Sequence, residues 1–429
     1  MIWNPEAETL PREELETLQL ERVRATLGRV LDAVPPQRER LRAAGFESTG
    51  ELRTLDDVRR LPFSAKADLR EHYPFGLFAV PREEVVRIHA SSGTRGKPTV
   101  VGYTRDDLAV WSEVMARCLA MAGIRPGMVL HNGYGYGLFT GGLGFHQGAE
   151  LMGCTVIPVS GGFTQRQVLL LQDLGGEALC CTPSYALNIA QMMQEMEVDP
   201  GSLKLRVGMF GAEPWTDEMR TEIERQLGLT ALNIYGLSEI VGPGVSAECA
   251  EGRNGAHIQE DHFLAEIVDP DSGQPLPPGH EGELVFTTLT KQALPMIRYR
   301  TGDISSLDFE PCPCGRTTAR MSRVRGRYDD MLIIRGVNLY PSEVERILLG
   351  VGDVAPHYQL LVERPEALDE LTVLCEPASI VADRDALAAR VARALQQETG
   401  ITMTVQILAI GEIPRGEGKA VRVVDRRPR

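Results

Sequence analysis

The run Ser91-Ser92-Gly93-Thr94-Arg95-Gly96-Lys97-Pro98-Thr99 concentrates hydroxyls, glycines and two cations in one short stretch. Backbone that wraps phosphate oxygens needs glycine freedom, hydroxyl and amide donors, and a cation. It is not a Walker A loop. That motif has a glycine five positions ahead of its Gly-Lys pair and a helix behind it, whereas Ser91 holds that position here and the strand-like TVVGYT follows Pro98. Taken alone, the run reads equally well as a solvated turn.

Other side chains have chemical potential of their own. Glu239 follows a Tyr-Gly turn at the end of a strand-like run. Sheets of the α/β class place ligand groups there, and a carboxylate at that point can hold a magnesium ion bridging ATP phosphates, or simply face a helix dipole. Lys419 lies in the loop Gly416-Glu417-Gly418-Lys419; most such lysines have no role, yet a positioned ammonium there would stabilise developing phosphate charge. Cys312-Pro-Cys314 has metal-type spacing but supplies only half of a tetrahedral zinc site. Cys249 and His257 are candidates for the other half, against unpaired thiols in a tight turn. Tyr134, Tyr136 and Phe139 sit in NGYGYGLFTGGLG, where a flat ring could slot beside backbone, or where they pack as core aromatics.

These residues need a scaffold. Leu15, Leu18, Val23, Leu27, Val30, Leu31 and Val34 recur at helical spacing after Pro11, which predicts an opening amphipathic helix. From about residue 128, the runs MVLHNG, CTVIPVS, ALCCTP, RVGMFG and ALNIYG alternate with helical stretches such as TQRQVLLLQDL and TDEMRTEIERQL. That rhythm predicts βαβ units and a mostly parallel sheet. Residues 255–325 turn to strands without helices and predict a small antiparallel β subdomain. A shift near Asp329 opens an α+β segment, giving an α/β protein divided as 1–328 and 329–429, the second part a small mobile lid.

The 429 residues carry a formal charge of −14, which repels polyphosphate backbones and anionic membranes. The Arg-rich tail (Arg422, Arg426, Arg427, Arg429) is short and interrupted by acid, so neither nucleic acid nor a membrane is an expected partner. Without a leader-like or spanning stretch, and with eight cysteines that form no disulfide framework, the expectation is a soluble cytoplasmic protein.

A family resemblance sharpens this reading. The Ser91–Thr99 run resembles the phosphate loop of the adenylate-forming acyl-CoA synthetase superfamily, and YGLSE (235–239), YRTGD (299–303), GRYDD with IIRGVNLYPSEVE, and IPRGEGK (413–419) are similar to its later motifs, in order. LPFSAKADLREHYPFGLFAVP, NGYGYGLFTGGLGFHQGAE, YGLSEIVGPGV and DDMLIIRGVNLYPSE look most like the phenylacetate-CoA ligase family, over nearly the whole chain. Arg95 departs from the commoner loop, which has Thr there, as does Thr99, where many members have Lys.

The resemblance implies activation of a small aromatic acid by ATP and Mg²⁺, then transfer to coenzyme A, by a homodimer. It implies phosphate contacts from Ser91, Ser92, Gly93, Thr94, Gly96 and Lys97. Gly211, Ala212, Glu213, Tyr235 and Gly236 would surround adenine, Asp303 would accept the ribose hydroxyls, and Arg327 would face the α-phosphate or ribose. Lys419 would be the adenylation lysine, Glu239 the magnesium ligand, Asp329 the hinge, and Cys249, His257, Cys312 and Cys314 a structural zinc site. Other readings are transfer to a carrier protein, adenylylation of a coenzyme, or an inactive nucleotide-binding sensor.

Overall fold

Strands that read as continuous apolar runs are expected to be covered on both faces, and Ala178–Cys181 is buried at every position. It lies within a nine-stranded sheet of the computed structural model, which describes residues 1–91, 97–335, 337–364, 369–416 and 418–427. Thr155–Ile157, Val129–Asn132, Ala178–Cys181, Val207–Gly211 and Thr230–Leu237 run parallel, in that spatial order. Beyond Thr230–Leu237 the pairing reverses: Gly242–Glu248, Ala256–Ile258, Arg320–Met321 and Leu307–Asp308 continue the sheet antiparallel.

The period-two alternation of the strands feeds two layers. Cys180, Met209 and Leu232 pack with helices Arg12–Ala33, Arg105–Met121 and Thr140–Met152. Leu179, Cys181 and Phe210 pack with helices Thr164–Leu174, Pro183–Glu195 and Asp217–Leu227. The β-rich stretch 255–325 does more than form one subdomain. Phe263–Val268, Gly282–Thr288 and Tyr299–Ser305 pair with Gly326–Arg327 in a separate antiparallel sheet, while other strands of the same stretch extend the large one.

From Leu332 to Val423 a third hydrophobic core forms. Helices Pro341–Val351 and Arg384–Thr399 cover a four-stranded sheet in the order Thr404–Ile407, Glu370–Pro377, Val354–Glu363, Val423–Asp425. Among the described residues, no helix is long and apolar enough to cross a membrane.

One buried cation stands out in the first core. Lys291 is 5% exposed, its Nζ has no hydrogen-bond partner among the described residues, and it lies 3.6 Å from the centroid of the Tyr103 ring. The oxygens of nearby Asp107 are occupied by the backbone N–H groups of Gln292 at 2.7 Å and Ala293 at 3.0 Å. Burial therefore dominates and pulls the Lys291 pKa from 10.5 down to about 8. Below pH 8 both folded and unfolded chains hold the proton and the penalty is fully present; between 8 and 10.5 the unfolded chain binds more protons, so stability rises with pH. The stability of Lys291→Met relative to the parent is expected to fall by roughly 3 kcal/mol between pH 7 and pH 10.5. Denaturant midpoints across that range test this, and a pH-independent difference would refute it.

Candidate active site

The reversal at strand Thr230–Leu237 demands backbone contacts closer than side chains allow. A Cβ on Gly211 would lie 2.1 Å from the Ile234 carbonyl oxygen, and one on Gly236 would lie 2.0 Å from that of Gly242. Ala212, which follows, adopts φ +72°, a conformation L-residues seldom take. At the C-terminal edge of this crowded zone, the carboxylate of Glu239 is buried. Thr99 Oγ1 donates to Glu239 Oε1 at 3.3 Å, and Lys66 Nζ is 3.9 Å from the same oxygen. Thr99 is in turn hydrogen-bonded to Ser91, so the two ends of the expected phosphate loop are joined beside Glu239. Lys97 has its ammonium 5.1 Å from the Tyr73 ring centroid. Ser92, Gly93, Thr94, Arg95 and Gly96 lie outside the described residues.

Across the cleft, the Tyr235 hydroxyl donates to Asp303 Oδ2 at 2.6 Å. Asp303 is paired in register with Arg327 on the neighbouring strand, and their charged groups are 4.0 Å apart. The C-terminal loop brings Lys419 to the same place. The residue as a whole is exposed, while the protein crowded around its ammonium lowers the pKa; Glu213 and Asp303 pull the other way, and Arg327 and Lys66 add to the lowering. Glu213 bridges the parts: one carboxylate oxygen accepts the Ser184 N–H at 2.8 Å and the other the Ala420 N–H at 2.9 Å. Asp329 sits in the 3-10 turn Tyr328–Asp330, between Gly326–Arg327 and Leu332–Ile334; its side chain lies outside the described residues.

The aromatic motif divides. Tyr134 is buried and stacked on Phe145 at 4.9 Å, and its hydroxyl, near Gly211, has no hydrogen-bond partner of good geometry among the described residues. Tyr136 is half-buried; its hydroxyl accepts from Asn132 Nδ2 at 2.8 Å and meets His146 Nδ1 at 3.1 Å. Phe139 is 37% exposed. All three converge on one helix start: a Cβ on Gly141 would meet Phe139 and Tyr134, and one on Gly142 would meet Tyr136. Lys66, Thr182 and Asn188, which join this site or its loop, were not singled out by sequence. Lys66 lies inside a family-like segment, which was the available signal; the other two carry none.

Cys249, His257, Cys312 and Cys314 form a second cluster, with ligand atoms all within 4.8 Å of one another. Cys249 Sγ is 3.5 Å from Cys312 Sγ, and Cys314 Sγ is 3.3 Å from His257 Nε2. His257 Nδ1 faces Thr318 Oγ1 at 3.1 Å, leaving Nε2 for the cluster. The N-terminal segment is strapped over this knuckle by a buried Arg316–Glu8 pair at 2.5 Å and by Arg12, which forks onto Glu260 at 2.8 Å.

The glycine contacts yield a direct test. Gly236→Ala must push Gly242–Glu248 away from Thr230–Leu237, at a cost of about 3 kcal/mol. A large drop in the denaturation midpoint is expected, and a midpoint equal to the parent's would show that the strands are not held this close.

The relationships of the chain agree with this geometry. Residues 17–290 match the model of the AMP-binding enzyme family and residues 336–427 that of the AMP-binding enzyme C-terminal domain. The chain is 54% identical to a phenylacetate-coenzyme A ligase of Thermus thermophilus, covering 100% of each chain, and 50% identical to that of Escherichia coli, covering 98% of this chain and 97% of the relative. Among solved structures, a 2-hydroxyisobutyryl-CoA ligase in its postadenylation state superposes with a TM-score of 0.93 at 29% identity, covering 99% of this chain and 92% of that one. The same ligase in its thioesterification state, with CoA, gives 0.75 at 30% identity and the same coverage. The arrangement of the parts here thus superposes better on the postadenylation form of this relative than on its thioesterification form, and the chain belongs to the AMP-binding enzyme family as one of the phenylacetate-coenzyme A ligases.

Proposed function

We propose that this chain activates phenylacetate or a closely related aryl acid with ATP and transfers the acyl group to coenzyme A. The observation that carries this is full-length identity to ligases of that name, joined to a cleft in which Glu239, Asp303, Arg327 and Lys419 converge. In the first half-reaction an oxygen of the acid's carboxylate attacks the α-phosphorus of ATP, and the electron pair of the breaking bond leaves on pyrophosphate. In the second, the CoA thiolate attacks the acyl carbon and AMP departs.

The residues are assigned by what they can do. Lys419 and Arg327 carry the positive charge that steadies the α-phosphoryl transition state. Asp303 offers acceptor oxygens to the ribose hydroxyls. Gly211, Ala212, Glu213, Tyr235 and Gly236 wall the adenine, their crowded backbone making a flat face. Ser91, Lys97 and the segment between them take the distal phosphates. Tyr134, Tyr136 and Phe139 line the slot for the aryl ring. Glu239 with the Thr99 hydroxyl is a donor set that fits magnesium, which prefers few carboxylates plus substrate phosphates; when bound, that ion neutralises charge on the leaving pyrophosphate. Asp329 is the hinge about which residues 329–429 turn to admit CoA, dividing the chain from residues 1–328.

The reading is tested by aryl-acid- and CoA-dependent AMP formation. Turnover on an aryl acid is expected, with acyl-adenylate formation reduced on the order of a hundredfold or more in Lys419→Ala. A parent protein inert towards every aryl acid would overturn it.

The cysteine cluster fits zinc. Its sulfur spacings approach the edge of a tetrahedron with Zn–S bonds of about 2.3 Å, and the Thr318 contact orients His257 as a ligating imidazole commonly is. The ion would have a structural role, tying residues 249–257 to 312–314 beneath the N-terminal strap. All eight cysteines are free, which supports a reducing cytoplasm as the location, and a homodimer is the assembly proposed. About one zinc per chain is expected by elemental analysis, lost in Cys312→Ser together with a fall in melting temperature; protein purified without chelator and free of zinc would refute the assignment.

A further inference from the structure

The loop bearing Lys419 must be held in the cleft during one half-reaction and released for the other. Its own domain supplies part of the hold: Glu376, fully buried, accepts the N–H groups of Gly411 at 2.9 Å and Ile413 at 2.7 Å and pairs with Arg415. The rest comes from across the divide. Asn188 Nδ2 donates to the Gly416 carbonyl at 2.7 Å, Thr182 Oγ1 to the Gly418 carbonyl at 3.0 Å, and Arg415 Nε to Gln191 Oε1 at 3.1 Å. Ser184, Asn188 and Gln191 fall at helical spacing on one stripe of Pro183–Glu195, and Thr182 is its N-cap. A helix's interior N–H groups are already spent, so only side-chain donors can reach a neighbouring backbone. Asn188 and Thr182 are mostly buried.

We propose that this stripe is a latch for the 415–420 loop, with Asn188 and Thr182 as positioning residues that hold Lys419 in place for acyl-adenylate formation and let go before thioester formation. The inference rests on the reading of Lys419 as the adenylation cation. Each neutral hydrogen bond made in one arrangement and absent in the other shifts the balance between them roughly two- to tenfold. A few such bonds hold the loop without locking it, as an enzyme that must alternate requires.

The test separates the half-reactions in the full-length protein. Asn188→Ala, and Asn188→Ala combined with Gln191→Ala, are assayed for aryl-AMP formation without CoA and for aryl-CoA formation from synthetic phenylacetyl-AMP. Adenylate formation is expected to fall about fivefold or more, thioester formation to stay within about twofold, and Thr182→Ser, which keeps the hydroxyl, to behave as the parent. A proportional loss of both halves would mean general damage and overturn the latch, as would unchanged adenylation in the double variant. Amide exchange gives a reading that needs no substrate: Ala420 and its neighbours should exchange about two- to tenfold faster in Asn188→Ala. Unchanged protection overturns the latch even if no aryl acid is turned over, whereas a parent that makes no aryl-AMP while the variant loses protection would fault the proposed function and leave the latch standing.

Discussion

Strand Thr230–Leu237 is squeezed between two backbones, parallel to one neighbour and antiparallel to the other, and the active cleft depends on that squeeze. At Gly211 and Gly236 no side chain fits. Tyr235 is still paired with Ser246 there, and Ser238 and Glu239 leave the sheet at the point where strand direction reverses, which is where α/β sheets open a crevice. Everything that later meets there is anchored to this point: Thr99 and Lys66 through Glu239, Asp303 and Arg327 through Tyr235, and the C-terminal loop through Glu213, which leaves the sheet just after Gly211.

The electrostatics follow the same economy. The protein as a whole is acidic, yet Lys66, Arg327 and Lys419 approach one cleft from three separate segments. None is locally conspicuous. Each is set against a carboxylate (Glu239, Asp303 or Glu213), so cationic donors are gathered in one place without a basic surface patch. On the proposed assignment, a polyphosphate ligand would be recognised by a site and not by the general field of the molecule.

How far the sequence could be read depended on whether a feature was local. Helices Thr164–Leu174 and Asp217–Leu227 and the alternating parallel strands announced themselves through periodicity, because their burial pattern is written in consecutive residues. The ordered motifs pointed to Glu239, Asp303, Arg327 and Lys419, and their convergence required only that the fold bring the motifs to one place. The sequence said less about NGYGYGLF, where neighbouring aromatics have different fates: Tyr134 joins the core stack while Phe139 remains exposed. The strand Val423–Asp425 was hidden in a charged tail, and the extension of the large sheet by Ala256–Ile258, Arg320–Met321 and Leu307–Asp308 depends on long-range pairing. Asn188 and Thr182 look like ordinary helix residues, since what distinguishes them is a carbonyl more than two hundred residues away.

The strap over the cysteine knuckle bears on how the chain is made. Glu8 pairs with Arg316, 308 positions later, and Arg12 with Glu260, 248 positions later. At about 5 to 20 residues per second, a ribosome takes roughly 15 to 60 s to deliver the partner of Glu8. During that interval helix Arg12–Ala33 can already pack against the segments that directly follow it, up to about residue 60, whereas its bonds to the backbone of Glu260, Asp261 and Leu289 wait for later synthesis. The strap is therefore a late closure laid over a segment whose local packing can form early.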